Sequence, residues 1–286
     1  MEKLDRLGWA AGFAFRAYGL RIGVRVNTVD LEEAVCRHFP AGVSPLASSV
    51  VERLYSLVAS EPSRLRSIRR FNFLYRDSHQ IARTTRVEDL FQIMESDMDS
   101  FIAQRARGSI FVHAGVVRFW NRVVVIPGRS QSGKTTLVRA LLELGATYYS
   151  DEYAVFDRSG HIRPFPRAMF IRGNEEHSVT RMPVEDRGSQ KGNDGLPVGL
   201  ILLTRYQAGA HWKPRMLSPG RGVLGLLANT ATARKQPKVA MEVLGRTVGN
   251  VPVLAGTRGE ATETAVAIRQ WLQTSESSSV DVTKVS

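Results

Sequence analysis

The feature that most constrains this sequence is a glycine-rich turn that joins an apolar run to a helical stretch. Residues 128–135 read GRSQSGKT, which fits the pattern G-x-x-x-x-G-K-[ST]. The apolar residues 123–126 precede the turn, and residues 134–144 repeat apolar side chains at helical spacing until Gly145. We therefore predict a strand, a tight loop and a helix in direct succession, which is the context that this motif requires.

The predicted loop has the chemistry of a phosphate-binding site. Its glycines allow successive backbone N–H groups to point inward, and the N-terminus of the following helix adds the positive end of its dipole. We expect Lys134 to reach the β- and γ-phosphates of a nucleotide and the Thr135 hydroxyl to bind Mg²⁺. The alternative is a structural Gly/Ser turn before a helix. The candidate nucleotide-binding residues are Gly128, Arg129, Ser130, Gln131, Ser132, Gly133, Lys134, Thr135 and Thr136.

Two acids follow the next predicted strand, residues 146–150. Strands of a nucleotide-binding fold deliver their carboxyl ends to the phosphates, so Asp151 and Glu152 are candidates for a metal ligand and a general base. The alternative is that a strand-end acid only caps a turn. His113 lies in the apolar strand before the loop strand, and by position alone such a histidine is more often a packed core residue.

Composition limits the compartment and the partners of the chain. A single cysteine, Cys36, cannot form an internal disulfide or a Cys-based zinc cage, so we expect a reducing, cytoplasmic setting. No run approaches about 18 consecutive apolar residues, so we expect no membrane span, and Arg16 interrupts the apolar N-terminal stretch, which argues against a signal peptide. The net charge of +12 permits an acidic partner. Because the arginines are spread along the chain, we expect a basic solvated face rather than a nucleic-acid surface.

The pattern of predicted helices and strands changes near residue 105. Before it, residues 20–26 alternate like a half-buried strand, and residues 86–105 repeat like a long amphipathic helix. After the phosphate loop, helical stretches are predicted at residues 220–234, 238–249 and 260–273. We predict three regions, an N-terminal α+β domain (1–104), a P-loop catalytic domain (105–273) and a Ser-rich disordered tail (274–286).

These motifs, taken in order, resemble the catalytic domain of the HPr kinase/phosphorylase family. Residues 112–115 read VHAG, similar to the H-G or H-A-G strand of that family. The loop and the Asp151–Glu152 pair then follow at the family's spacing without a gap. Residues 171–173 and 219–221 are similar to the family's E-I-R-G and P-G-R-N segments. The resemblance covers residues 108–235.

Three other stretches resemble a divergent branch of this family, the HPr-kinase-like serine kinases. They are residues 18–25, 148–155 and 226–230. The resemblance implies an α/β fold of the phosphoenolpyruvate-carboxykinase-like type, with the P-loop on a mixed, largely antiparallel core behind a small α+β domain. It also implies an ATP- and Mg²⁺-dependent kinase that acts on a serine hydroxyl of a protein or peptide.

The resemblance implies a role for each candidate residue. Thr135 and an acid, Asp151 or Glu152, would hold Mg²⁺, and Asp151 would position or deprotonate the nucleophile with help from His113. Arg172 and Arg221 would meet the charge of the substrate or transition state, and the alternative is that both are surface arginines. An assembly of identical subunits is compatible with the sequence.

Three departures from the family pattern leave other functions open. Glu152 replaces the second Asp, Phe170 replaces the acid of E-I-R-G, and Gln131 with Ser132 stands where the family often has a glycine. One alternative is a kinase of a free small molecule, whose acceptor site the polar residues 183–195 would cover as a mobile loop. The other is a non-catalytic module that binds a partner in response to a nucleotide.

Overall fold

The chain divides into two units, Met1–Gly108 and Ser109–Ser286. The computed structural model describes residues 2–60, 70–129, 132–172, 179–182, 195–231, 233 and 235–280. The predicted mobile loop at residues 183–195 lies outside these ranges except for Gly195. None of the helices in the described ranges combines the length and the hydropathy needed to cross a bilayer.

The first unit is a mixed sheet with helices. Its elements are α1 (Glu2–Asp5), β1 (Ala11–Ala17), β2 (Leu20–Val26), α2 (Leu31–Cys36), β3 (Ser44–Pro45), β4 (Arg53–Val58), β5 (Asn72–Arg76), β6 (His79–Thr84) and α3 (Val87–Arg105). The strands form one sheet in the order β3-β1-β2-β4-β5-β6. The strand predicted at residues 20–26 and the helix predicted at residues 86–105 are confirmed by β2 and α3. The domain boundary predicted at residue 104 falls inside the last turn of α3.

The second unit contains the predicted phosphate loop. Its elements are β7 (Ser109–Phe119), β8 (Arg122–Pro127), α4 (Lys134–Glu143), β9 (Thr147–Ser150), β10 (Tyr153–Asp157), β11 (Ile162–Arg163), β12 (Met169–Arg172), β13 (Val179–Met182), β14 (Val198–Tyr206), β15 (Arg215–Met216), α5 (Pro219–Leu227), α6 (Pro237–Val248), β16 (Val253–Arg258) and α7 (Ala261–Val280). The predicted strand and helix on either side of the loop are therefore present as β8 and α4.

An eight-stranded mixed sheet forms the centre of the second unit, in the order β11-β10-β7-β8-β14-β16-β15 with β9 paired to β7. The strands β8, β14 and β16 run parallel, whereas β7 runs antiparallel to β8. Successive residues of a strand face opposite sides, so Val125 packs with α5 and α6 while Val124 packs with α4 and α7. The unit is thus a mixed α/β sandwich with helices on both faces of the sheet.

Two predictions about where helices end are wrong. The helix predicted at residues 220–234 ends at Leu227, because Thr230 and Ala231 instead pair with β7 through backbone contacts to Val112 and Phe111. The tail predicted to be disordered from residue 274 is helical as far as Val280.

The extension of α7 continues a helix whose earlier residues Ala265, Ile268 and Leu272 are buried against the sheet. Once a helix exists, each added residue gains a backbone hydrogen bond. The hydroxyls of Thr274 and Ser275 donate to the carbonyls of Gln270 and Trp271, 2.6 and 2.8 Å away, so these polar side chains are satisfied within the helix.

Gly115 determines how closely α4 approaches the sheet. A Cβ atom added there would lie 2.6 Å from Cγ2 of Val138 in α4. We expect Gly115→Ala to lower the free energy of unfolding by about 1–3 kcal/mol, because the helix must move or Val138 must leave its rotamer. Urea unfolding measures this change. The control is Gly245→Ala in α6, where a Cβ meets nothing within 4 Å and a gain of up to about 1 kcal/mol is expected. Equal effects of the two substitutions would contradict the close approach.

Candidate functional site

The neighbours of β7 change at its middle residues. On one side, β8 pairs with β7 only as far as Pro127, which lies opposite Ala114. The chain then leaves the sheet, and Gly128 N donates to His113 O at 3.1 Å. Beyond this point the same side of His113 is occupied by the segment after α5, because His113 N donates to Asn229 O at 2.8 Å. The loop therefore leaves the sheet at a gap between two neighbours of β7.

The acids approach the same point from the other side of β7. Both β9 and β10 run antiparallel to β7, with Ser150 opposite Val116 and Tyr153 opposite His113. Asp151 and Glu152 lie between these pairs, and Ala114 N donates to Glu152 O at 3.1 Å. The predicted acids and the start of the loop consequently flank the same two or three residues of β7.

The first turn of α4 covers this junction. Gly115 has no side chain, so the Cβ of Lys134 lies 3.7 Å from the position that a Cβ of Gly115 would take. The hydroxyl of Thr135, one residue on, donates to Oδ2 of Asp151 at 2.9 Å. The structure thus brings together Thr135 and Asp151, two of the three residues predicted to hold a metal ion, although 16 positions separate them along the chain.

Asp151 is held on both carboxylate oxygens. Its Oδ1 accepts a hydrogen bond of 2.7 Å from the hydroxyl of Tyr148, which also lies 3.0 Å from the carbonyl of Arg167. Asp151 is only 5% exposed, so these contacts fix a buried carboxylate. Burial and the neighbouring Asp151 raise the pKa of Tyr148 well above its usual value, so the phenol stays protonated and donates.

Tyr148 was not predicted from the sequence. It stands in a Tyr-Tyr pair on a predicted strand, where no local pattern distinguishes it from Tyr149, and only the structure shows its contact with Asp151. The side chain of Tyr149 is buried on the other face of the sheet and makes no hydrogen bond within the described ranges.

We expect Tyr148→Phe to lower the free energy of unfolding by about 1–3 kcal/mol, because it leaves a buried carboxylate oxygen without its donor. Tyr149→Phe removes the same hydroxyl from the neighbouring residue and is expected to be nearly neutral. Chemical denaturation of the three proteins measures the difference. Equal stability of the two variants would show that the hydroxyl does not hold Asp151.

Lys134 reaches back beneath the loop. Its Nζ donates to the carbonyls of Gly128 and Arg129, each at 2.8 Å, and the residue is 8% exposed. Burial lowers the pKa of Lys134, and the nearby Glu152 and Asp151 act in the opposite direction. The candidate residues Ser130 and Gln131 lie outside the described residues, whereas Thr136 is exposed on α4. An ammonium group therefore lies within the curl of the loop.

His113 lies beside this ammonium. Burial and the charge of Lys134 lower its pKa, which a backbone contact with Glu152 partly offsets. Its Nδ1 is 3.9 Å from Oε2 of Glu152, and its ring packs on Tyr153 with 4.5 Å between the ring centroids. The imidazole is therefore held neutral at pH 7, next to an exposed carboxylate, where it can accept a proton.

The two predicted arginines are placed differently. Arg221 is exposed in the first turn of α5, at the opposite end of that helix from the segment that contacts His113. Arg221 precedes Asn229 by eight positions, and eight positions of a helix span about 12 Å along its axis. For Arg172 the structure describes only the backbone, which pairs with Val179 between β12 and β13.

The oxygen donors of the site suit magnesium. Mg²⁺ is commonly bound by one or two carboxylates together with substrate phosphates and water, rather than by a cage of protein ligands. Thr135 and Asp151 provide a hydroxyl and a carboxylate already in contact. Within the described ranges, no group of three or more His, Cys, Asp or Glu residues is arranged to hold a metal ion by itself. The donor set fits an ion that is shared with a phosphate ligand.

No protein-family model matches the sequence, and no curated protein was found to be similar to it.

Proposed function

We propose that this protein is an ATP-dependent kinase that transfers the γ-phosphoryl group to a serine-type hydroxyl of a protein or peptide. The proposal includes a P-loop kinase core of the phosphoenolpyruvate-carboxykinase-like type within the α/β sandwich of the second unit. The observation that carries it is the 2.9 Å hydrogen bond between Thr135 and Asp151, next to the buried ammonium of Lys134. A structural turn would require neither a buried cation nor a fixed carboxylate at this place.

Phosphate binding is the first element of the proposal. The first turn of α4 presents unpaired N–H groups and the positive end of the helix dipole to the loop. Lys134 adds a full charge, which burial leaves poorly solvated and therefore strongly attracted to an anion. When ATP binds, its phosphates take over the interactions that the loop carbonyls now make with Nζ.

Metal binding is the second element. Bound Mg²⁺ would neutralise charge on the β- and γ-phosphates. Thr135 and Asp151 would hold it, and Glu152, whose side chain is largely exposed, is within reach as a further ligand. Tyr148 keeps Asp151 oriented for this role through its hydrogen bond to Oδ1.

Proton transfer is the third element. The bond between the γ-phosphorus and the bridging oxygen of ADP breaks, a bond to the acceptor oxygen forms, and the hydroxyl proton must leave. Both oxygens of Asp151 already accept hydrogen bonds from protein groups, so Asp151 is better suited to orientation than to proton transfer. The neutral His113, assisted by Glu152, is the better proton acceptor, because its lowered pKa keeps it unprotonated at pH 7.

Intact-mass analysis of candidate acceptors tests the proposal. Wild-type protein is incubated with Mg-ATP and peptides encoded beside the gene, and a gain of one phosphate with equivalent ADP is expected on one of them. Phosphate transfer to free amino acids alone would favour the small-molecule kinase. If the protein bound Mg-ATP but transferred phosphate to none of the acceptors, the result would favour the nucleotide-responsive module and contradict the kinase.

A further inference from the structure

A second buried cation lies at the same edge of the sheet as the phosphate loop. The parallel strands β8, β14 and β16 end at this edge, and the last residue of β16 is Arg258. Arg258 is 2% exposed, although arginine is rarely buried without a partner. No feature of the sequence distinguished it, because β16 is short and contains alanine and glycine, and it was not predicted as a strand.

Arg258 contacts the loop through one carbonyl. Its Nη2 donates to Gly133 O at 2.9 Å, and Leu137 N donates to the same oxygen at 3.1 Å. The φ of Gly133 is +79°, and a Cβ there would lie 2.5 Å from Nη2, so the close approach of the guanidinium requires glycine. The last residue of the predicted loop is therefore tied to a strand that is two positions away from β8 in the sheet.

This contact determines where an adjacent donor points. In a trans peptide the C=O and N–H groups point in opposite directions. Because the carbonyl of Gly133 is fixed by Arg258 and by Leu137, the N–H of Lys134 points the opposite way, out of the N-terminus of α4, where an anion is stabilised. Gly133 precedes the first residue of α4, so the same contact also fixes the direction of the helix N-terminus.

The charge of Arg258 is not neutralised by a carboxylate in the described part of the chain. No acidic side chain there lies within ion-pair distance of the guanidinium, and its buried Nε has no hydrogen-bond partner among those residues. The guanidinium carbon of Arg258 lies 5.4 Å from the centroid of the Tyr206 ring, and the hydroxyl of Tyr206 donates to Glu260 at 3.1 Å. Burial lowers the pKa of Arg258, while Tyr206 and Glu260 act against this. Two buried cations, Arg258 and Lys134, thus lie at the positive end of α4.

We propose that Arg258 is a positioning residue of the phosphate site, which orients the Lys134 N–H through Gly133 and whose charge is compensated when a polyphosphate binds in the loop. The inference rests on the proposed function only for the identity of that anion. It deepens that function by adding a second cation on a separate strand, so the loop would favour tri- and diphosphates over monophosphates.

Titration of the full-length protein with inorganic tripolyphosphate tests this inference by calorimetry. Arg258→Met is expected to weaken binding by about 10- to 100-fold, because a charge-assisted orientation and a nearby charge are both lost. Arg258→Lys keeps the charge and is expected to recover part of the affinity. Arg205→Met, at an exposed position of the neighbouring β14, removes the same charge and is expected to bind as wild type does.

Melting temperature separates positioning from a purely structural role. A structural brace predicts that Arg258→Met lowers the melting temperature equally with and without tripolyphosphate. The inference predicts that tripolyphosphate raises the melting temperature of Arg258→Met by less than it raises that of wild type. If tripolyphosphate raised the melting temperatures of wild type and Arg258→Met equally, the inference would be wrong, but phosphate binding by the loop would still be supported.

The other outcomes separate the two proposals. If wild type binds tripolyphosphate and Arg258→Met does not, but no acceptor is ever phosphorylated, the inference holds and the kinase is wrong. If wild type binds neither tripolyphosphate nor ATP, both are wrong.

Discussion

Lys134→Met is expected to weaken Mg-ATP binding by about 100-fold, measured by calorimetry, because it removes a buried charge that would meet the phosphates. Methionine has nearly the same length, so the loop loses its ammonium group without a large cavity. Burial lowers the pKa of Lys134, which shows that the charge is costly in the free protein. The melting temperature without nucleotide should therefore change little while affinity is lost.

The matched control for this substitution is Lys238→Met, at an exposed position in the first turn of α6. It changes the net charge by the same amount and is expected to leave ATP affinity unchanged. If the two variants bound ATP equally well, Lys134 would be an ordinary buried lysine and the phosphate loop would lose its main support. A fall in melting temperature of Lys134→Met without nucleotide would instead assign it a structural role.

Asp151→Asn is expected to reduce phosphoryl transfer by about 10²- to 10⁴-fold, with a much smaller effect on ATP affinity. The amide has the same shape, and the hydroxyls of Thr135 and Tyr148 can each donate or accept, so the local hydrogen bonds can be retained. What is lost is the negative charge that would hold Mg²⁺. The quantities to compare are ADP formation with acceptor at saturating ATP and the dissociation constant of ATP.

The control is Asp30→Asn, at the exposed N-cap of α2, where no side-chain cap hydrogen bond is made. It makes the same chemical change in the first unit, and we expect it to alter neither ADP formation nor the dissociation constant of ATP. Full turnover by Asp151→Asn would exclude the carboxylate from the reaction. A loss of affinity as large as the loss of turnover would place its main role in binding.

Much of the core of the second unit could be predicted from the order of residues. The loop motif, the apolar strand before it and the helix after it are all local patterns, and the structure contains the strand and the helix as β8 and α4. The position of Asp151 also followed from a local rule, that acids after a buried strand lie at a strand end. Its contact with Thr135 is consistent with that rule.

Other features could not be predicted because they depend on contacts between segments distant in the chain. The strand β16 has few apolar residues of its own, and it forms because β14 provides a parallel partner for it. The end of α5 depends on β7, whose backbone pairs with Thr230 and so competes with continued helix. In both cases pairing in the sheet overrides the local tendency of the segment.

Local sequence determined where a strand gives way to a glycine-containing turn and a helix, and which acids follow, because both depend on residues that are neighbours or nearly so. Only the folded structure decided that Tyr148, three residues before Asp151, would turn its hydroxyl to that carboxylate, and that Arg258, 125 positions from Gly133, would contact the carbonyl of Gly133. These contacts join residues that local patterns mark as ordinary core or strand residues. Their roles come from burial, since a polar group removed from water must find a partner and that partner is chosen by the fold.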